Sequence, residues 1–322
     1  MAVARRAFLA WGLLAATAPL MCGRAWADQR RIALVVGNNH YEHVKSLQNA
    51  GNDARSMAGE LASLGFHVME GYDLSRSAML RLVNSFTDQL SHYDVGVFYY
   101  SGHGVQMHGA NWLIPSSIGG EFDSEADLAD ESVNMADIAD RMAEANAKGF
   151  NLLIIDACRD NPFSTKTKGI AATRGLGVAA SNGVMILYSA GSNETALDRL
   201  GPQDHDPNGV FTRALLQEMR VPGLPVRDMI TRLRSIVRTD AAKVGHDQMP
   251  ALYDEAVGDF TFTPGDAPQL PVESATVQTV TTVQPVAIVQ RRPPSSPRPA
   301  VPRRAGPVTH DPNDICTSLG TC

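Results

Sequence analysis

Four apolar runs, each closing abruptly on a polar or glycine-rich stretch, set the frame of the chain. They are Arg31-Ile32-Ala33-Leu34-Val35-Val36 before Gly37-Asn38-Asn39, Asp94-Val95-Gly96-Val97-Phe98-Tyr99-Tyr100 before Ser101-Gly102-His103-Gly104, Asn151-Leu152-Leu153-Ile154-Ile155 before Asp156-Ala157-Cys158-Arg159, and Gly183-Val184-Met185-Ile186-Leu187-Tyr188 before Ser189-Ala190-Gly191. A strand with one wet face would alternate polar with apolar, so these runs predict strands buried on both faces. Helical spacing fills the gaps. Met57, Leu61 and Leu64 predict a helix capped by Asn52 and stopped by Gly65, and Met79, Leu82, Val83 and Phe86 predict another that starts at Ser75. Further helices are expected over about 134–148, 209–219 and 226–244, the last opened by Pro225 and closed by Gly245. Shorter strands are expected over 66–70, 110–115 and 259–263, with a solvated acidic loop over 121–131. Strands alternating with helices predict an α/β fold, a three-layer αβα sandwich around a mainly parallel sheet.

In an open α/β sheet, ligands bind in the crevice beyond the carboxyl ends of the strands. Asp156 and Cys158 leave one such end, and His103 leaves another, 158 − 103 = 55 residues earlier. One crossover between parallel strands would bring thiol and imidazole to the same edge. A thiolate is the attacking form of cysteine, and a neighbouring imidazole stabilises it, so the pair predicts nucleophilic catalysis. A zinc site from His103, His108 and Cys158 is the metal alternative, but its spacing is no recognised ligand pattern, and no metal is assigned. The Gly37-Asn38-Asn39 stretch after the first strand lacks the glycine spacing of a phosphate loop, which argues against a nucleotide.

Charge and proline divide the chain. Residues 1–27 carry Arg5-Arg6, an apolar stretch and Ala25-Trp26-Ala27, the layout of a cleaved signal peptide of the general or twin-arginine type. The mature protein is therefore expected to be exported, periplasmic or secreted, with no transmembrane segment. Residues 28–263 hold 20 Lys and Arg against 30 Asp and Glu, a net charge of −10 that excludes a nucleic-acid partner. Residues 264–322 hold 11 of the 19 prolines and no apolar periodicity, which predicts an extended tail. With Cys22 lost in the leader, Cys316 and Cys322 can pair in an oxidising compartment, which leaves Cys158 free.

Tyr100-Ser101-Gly102-His103-Gly104 followed by Asp156-Ala157-Cys158-Arg159 resembles the caspase-like cysteine peptidases over about residues 30–263. Asp156 and Asp160 replace the Gln and Gly of caspases proper and point to the metacaspase and paracaspase branch. The resemblance implies a Cys/His dyad of Cys158 and His103, an oxyanion site made by the backbone N–H groups of Gly104 and Cys158, and a peptide or protein substrate. Residues 47–54 resemble the metacaspase segment that gives a pocket acid, here Asp53. Ser101 maps onto the pocket serine, and Ala50 stands where many relatives have a cysteine. With Asp156, these residues predict cleavage after Arg or Lys. Read from position alone, Asp53 is an acid at a helix start, favoured by the dipole. No cofactor is expected. Calcium activates metacaspases, yet the 121–131 run does not match an EF-hand, so no calcium site is assigned. Self-cleavage is expected after Lys166, Lys168 or Arg174 in the Thr/Gly/Ala-rich segment 161–182. The other functional class open to such a chain is a caspase-like scaffold that grips a peptide without cutting it, and intact His103 and Cys158 favour the enzyme.

Overall fold

The computed structural model describes residues 29–107, 109–158 (Cys158 through its backbone), 163, 183–191 and 194–266. In chain order the elements are β1 (Arg31–Gly37), α1 (Ala50–Ser63), β2 (His67–Tyr72), α2 (Arg76–Leu90), β3 (Val95–Met107), β4 (Ala110–Leu113), α3 (Glu125–Glu131), β5 (Val133–Asn134), α4 (Met135–Ala145), β6 (Phe150–Cys158), β7 (Val184–Tyr188), α5 (Val210–Met219), α6 (Val226–Ala242) and β8 (Ala251–Asp254). The main sheet runs β2-β1-β3-β6-β7-β8. Its first four pairings are parallel and β7 with β8 is antiparallel. Beyond its partners in that sheet β3 continues into an antiparallel ladder with β4, which pairs in turn with β5.

The apolar runs are buried on both sides because each face of the sheet carries its own helix layer. Val35, Val97, Tyr99, Leu152, Ile154 and Leu187 meet α1, α5 and α6, whereas the residues between them, such as Leu34, Phe98, Leu153 and Ile186, meet α2 and α4. This period of two on the strands, matched to helices on either side, is the three-layer sandwich. Each fully buried Leu, Ile, Val or Phe contributes about 1.5–3 kcal/mol relative to exposure, so the two layers supply the main drive to fold.

Several local expectations are corrected. The cap of α1 lies three residues before Asn52: it is Asn49, whose side chain makes no capping bond and instead donates to the Asp198 carbonyl at 2.9 Å. The 121–131 stretch is not all loop, because Ser124 caps α3 by accepting from the Asp127 N–H and donating to the Asp127 carboxylate. The sheet's last strand is β8, not 259–263. In the latter, Thr261 makes only an isolated bridge to Pro225, while Phe260 and Phe262 pack edge-on with centroids 4.7 Å apart inside the α1/α5/α6 core. Helix α4 stops at Ala145 and not near 148. The leader, the self-cleavage segment apart from Phe163, His108, Cys316, Cys322 and the tail from residue 267 lie outside the described residues. Among the described residues no helix is long and apolar enough to cross a membrane.

Candidate active site

The strand that delivers His103 does not end at Tyr100. It runs on through His103 to Met107, so the imidazole springs from mid-strand. Strand β6 likewise includes Asp156 and ends on Cys158. In the parallel ladder between them Ser101 pairs with Asp156, and His103 pairs with Cys158. Adjacent strands lie about 4.8 Å apart, so the two backbones of the expected dyad are immediate neighbours.

His103 is 5% exposed, and its surroundings fix both ring and backbone. Its Nε2 lies 2.7 Å from the Lys45 carbonyl. A carbonyl can only accept, so Nε2 carries the hydrogen and Nδ1 is the basic nitrogen of the neutral ring. The ring centroid lies 4.6 Å from that of Tyr41, tilted by 47°. The His103 N–H donates to the Tyr41 hydroxyl at 2.8 Å, and its carbonyl accepts from the Tyr100 hydroxyl at 2.8 Å. Gly102 makes room for both phenols: a Cβ there would sit 2.5 Å from the Tyr100 oxygen and 2.8 Å from that of Tyr41.

The orientation of Gly104 follows from the antiparallel ladder. Ile114 N–H donates to the His103 carbonyl at 3.0 Å, so that carbonyl points towards β4. Across the trans peptide the Gly104 N–H points the opposite way, away from β4 towards the side of β3 that faces β6. That is the side on which Cys158 lies.

Asp53, Ser101 and Asp156, far apart in the chain, line one narrow cavity with Gly102, Asp198 and Gly209. Asp53 occupies the first turn of α1 but is only 4% exposed, and its Oδ1 accepts the Gly209 N–H at 2.9 Å from the start of α5. It is therefore no simple surface acid at a helix start. Asp156 accepts from the Thr212 hydroxyl at 2.7 Å, and the Tyr99 hydroxyl oxygen lies 3.4 Å away. With its one hydrogen on Asp156, Thr212 accepts from Tyr99 at 2.9 Å. Burial, then repulsion from Asp156, pushes the Asp53 carboxyl up to about 8. Burial also pushes Asp156 up to about 6 against the hydroxyls of Thr212, Ser189 and Tyr99 that favour its charge. The two titrate together, so the proton belongs to the pair. Asp198 is also raised, by burial, with Arg199, His103 and Lys45 opposing the shift.

Three participants had no reading in the sequence. Asp198 sits in a segment without periodicity, the Lys45 contribution is a backbone carbonyl that no side chain advertises, and Tyr41 reads as an ordinary loop aromatic. Among the described residues no group of three or more His, Cys, Asp or Glu could hold a metal ion.

A mainly parallel αβα sheet that sets a histidine and a cysteine in register on adjacent central strands, beside an acid-lined cavity, defines the class of caspase-like cysteine peptidase domains. The caspase domain family of peptidases matches residues 30–261, and the chain belongs to that family. Mucosa-associated lymphoid tissue lymphoma translocation protein 1 of Homo sapiens is 26% identical over 129 residues, which is 40% of this chain and 15% of that protein. Its homolog in Mus musculus is 27% identical over 130 residues, again 40% of this chain and 15% of the relative. The match thus spans about 15% of the length of these curated relatives. The crystal structure of caspase-1 from Spodoptera frugiperda superposes with a TM-score of 0.53 at 16% identity, covering 74% of this chain and 93% of that one, and shares the fold.

Proposed function

We propose that the chain is a cysteine endopeptidase that cleaves peptide bonds after Arg or Lys. The observation that carries this reading is the in-register pairing of His103 with Cys158 beside a cavity holding Asp53, Asp156 and Asp198. Sulfur of Cys158, as thiolate, attacks the scissile carbonyl carbon, and the N–H groups of Gly104 and Cys158 stabilise the oxyanion. The C–N bond then breaks, His103 passes its proton to the leaving amine, and a thioester remains. Water, losing a proton to His103, hydrolyses that thioester and restores the thiol. The tilted contact with Tyr41 and the Lys45 carbonyl keep the imidazole in one tautomer and one orientation through both steps.

Its test is a peptide panel differing only at the residue before the cut. Arg and Lys peptides are expected to be hydrolysed, Arg somewhat faster because its planar fork can meet two carboxylates, and Asp peptides to resist. Binding of Arg peptides without turnover would establish the scaffold in place of the enzyme. Export completes the reading: Arg5-Arg6 and Ala25-Trp26-Ala27 frame a leader that is removed outside the cytoplasm. Recovery of exported protein whose amino terminus is not Asp28 would refute the cleavage site.

A further inference from the structure

The acid cavity is closed on one side by residues 194–209, a stretch that contains no helix or strand yet carries Leu197, Asp198 and Gly209 into the cavity wall. Such a stretch holds its shape only through bonds to firmer parts of the fold. At its far end the partly buried Arg213 guanidinium grips Asp204 with two bonds of 3.1 and 2.6 Å. At its near end the connection from α6 to β8 meets it at successive points. His246 Nε2 donates to the Thr195 carbonyl at 2.8 Å, and Met249 N–H donates to the Glu194 carboxylate at 2.7 Å. Between these two lies Gln248.

Gln248 is 1% exposed, and both ends of its amide are engaged. Nε2 donates to the Ser189 carbonyl at 2.8 Å, and Oε1 accepts the Leu197 N–H at 3.0 Å. Each partner stands one bond from a cavity acid. Ser189 follows β7, takes its N–H to the Ile155 carbonyl at 3.0 Å next to Asp156, and bonds the Asp156 carboxylate through its hydroxyl. Leu197 accepts the Val210 N–H at 3.0 Å, and Val210 follows Gly209, whose own N–H holds Asp53. Leu197 also precedes Asp198. A single buried amide therefore spans from the Asp156 side of the cavity to the Asp53 and Asp198 side.

We propose that Gln248 is a positioning residue for the cavity that takes the substrate's basic side chain, fixing the distance between the strand end beside Asp156 and the loop that carries Leu197 and Asp198. The proposal rests on the reading of that cavity as the Arg/Lys pocket. Without the amide, the Leu197 N–H and the Ser189 carbonyl are left buried and unmatched, and the loop must shift to recover partners. Carboxylates that meet a guanidinium at hydrogen-bond distance lose it after a displacement of a fraction of an ångström. Gln248 bonds Ser189 and Leu197 and not the imidazole, so the loss should fall on binding.

The experiment compares the full chain with Gln248→Met, which keeps the volume and removes both bonds. KM for an Arg peptide, and its Kd measured on a Cys158→Ala background, are expected to rise about tenfold or more, with kcat within roughly threefold. Alkylation of Cys158 by iodoacetamide, followed by peptide mapping, is expected to proceed at the wild-type rate, because that reagent does not use the cavity. Unchanged KM and Kd, or a rise in KM matched by an equal loss of kcat and of alkylation, would overturn the proposal. Should Gln248→Met not fold, Gln248→Glu decides. Protonated, it can donate to Ser189 and accept from Leu197 as Gln does; ionised, it cannot donate. Burial at this 1% exposed position raises a carboxyl above its usual range, so the ratio of its KM to that of wild type should climb at least about fivefold between roughly pH 5.5 and 8, and a ratio near one throughout refutes the assignment. If wild type neither binds nor cuts Arg peptides, the Arg/Lys pocket itself is wrong and the role given to Gln248 falls with it. If wild type binds or cuts them and the variants match it, only the role of Gln248 fails.

Discussion

Cys158→Ala and His103→Ala each reduce turnover of an Arg peptide to background, a loss of at least about 10⁴-fold, because a nucleophile and its base act as one unit. The two changes differ in their effect on the fold. Cys158 closes β6 at the sheet's polar edge, and alanine there leaves the ladder of that strand intact. Removing the imidazole leaves the Lys45 carbonyl without its donor and a small void against Tyr41, which costs about 1–3 kcal/mol. For a domain of this size that shifts Tm by a few degrees, roughly 2–4 °C per kcal/mol. Activity and melting are therefore measured on the same preparations. Undiminished turnover in either folded variant removes the dyad; loss of turnover with loss of folding in His103→Ala calls for His103→Gln, which should fold and stay inactive.

Asp53→Ala and Asp156→Ala should each cut kcat/KM for Arg peptides by roughly 30- to 700-fold, equivalent to about 2–4 kcal/mol, the upper value being one carboxylate and one cation 4 Å apart at an effective dielectric of 20. Peptides with an uncharged residue before the cut should respond far less. The same carboxylates make binding pH-dependent. With Asp53 up to about 8 and Asp156 up to about 6, the empty cavity retains a proton near neutrality, while Asp198 and Asp206 add to the repulsion and Lys45, Arg199 and His103 oppose it around Asp198. A guanidinium favours the ionised pair and expels that proton, so affinity should rise from pH 6 to pH 8 and level off above. The sign for stability is opposite. Free carboxyls ionise near pH 4 in the unfolded chain, so between there and about 8 the folded state holds more protons, and the empty protein loses stability as pH rises through that window. Calorimetry of an Arg peptide on Cys158→Ala protein, in buffers of different ionisation enthalpy, reads the proton directly. No proton release at pH 7, or a full basic preference in both variants, would sink the pocket assignment while leaving the dyad standing.

The strands that build the sheet were legible because burial on both faces leaves an unbroken apolar run, and the site followed because parallel strands must release their polar residues at one edge. What escaped was decided by partners remote in sequence. Asn49 stands at the N-cap of α1 in place of Asn52 with its side chain bonded to Asp198, 149 residues away, and not to the helix. Strand β8 has only four residues and one neighbour, too short for alternation to show, while Phe260 and Phe262 look like a strand and serve as core plugs. Helix α3 did carry a signal, the Ser124-to-Asp127 spacing of a capping box, overlooked among the acids around it. Gln248 and the Lys45 carbonyl carry none, since an amide or a backbone oxygen acquires meaning only from what the fold places opposite it.

Strand β3 has three neighbours, β1 and β6 flanking its first half and β4 its second, and His103 sits where the β6 ladder ends and the β4 ladder begins. To displace the histidine is to unzip the middle of the sheet, and openings of that kind lie near the free energy of global unfolding. Accommodation of a substrate must then be shared unequally. The imidazole is the fixed datum of the site, and any adjustment to the incoming chain falls to the 38–49 and 194–209 loops, which hold the Lys45 carbonyl and Asp198 and lie outside the strand ladders.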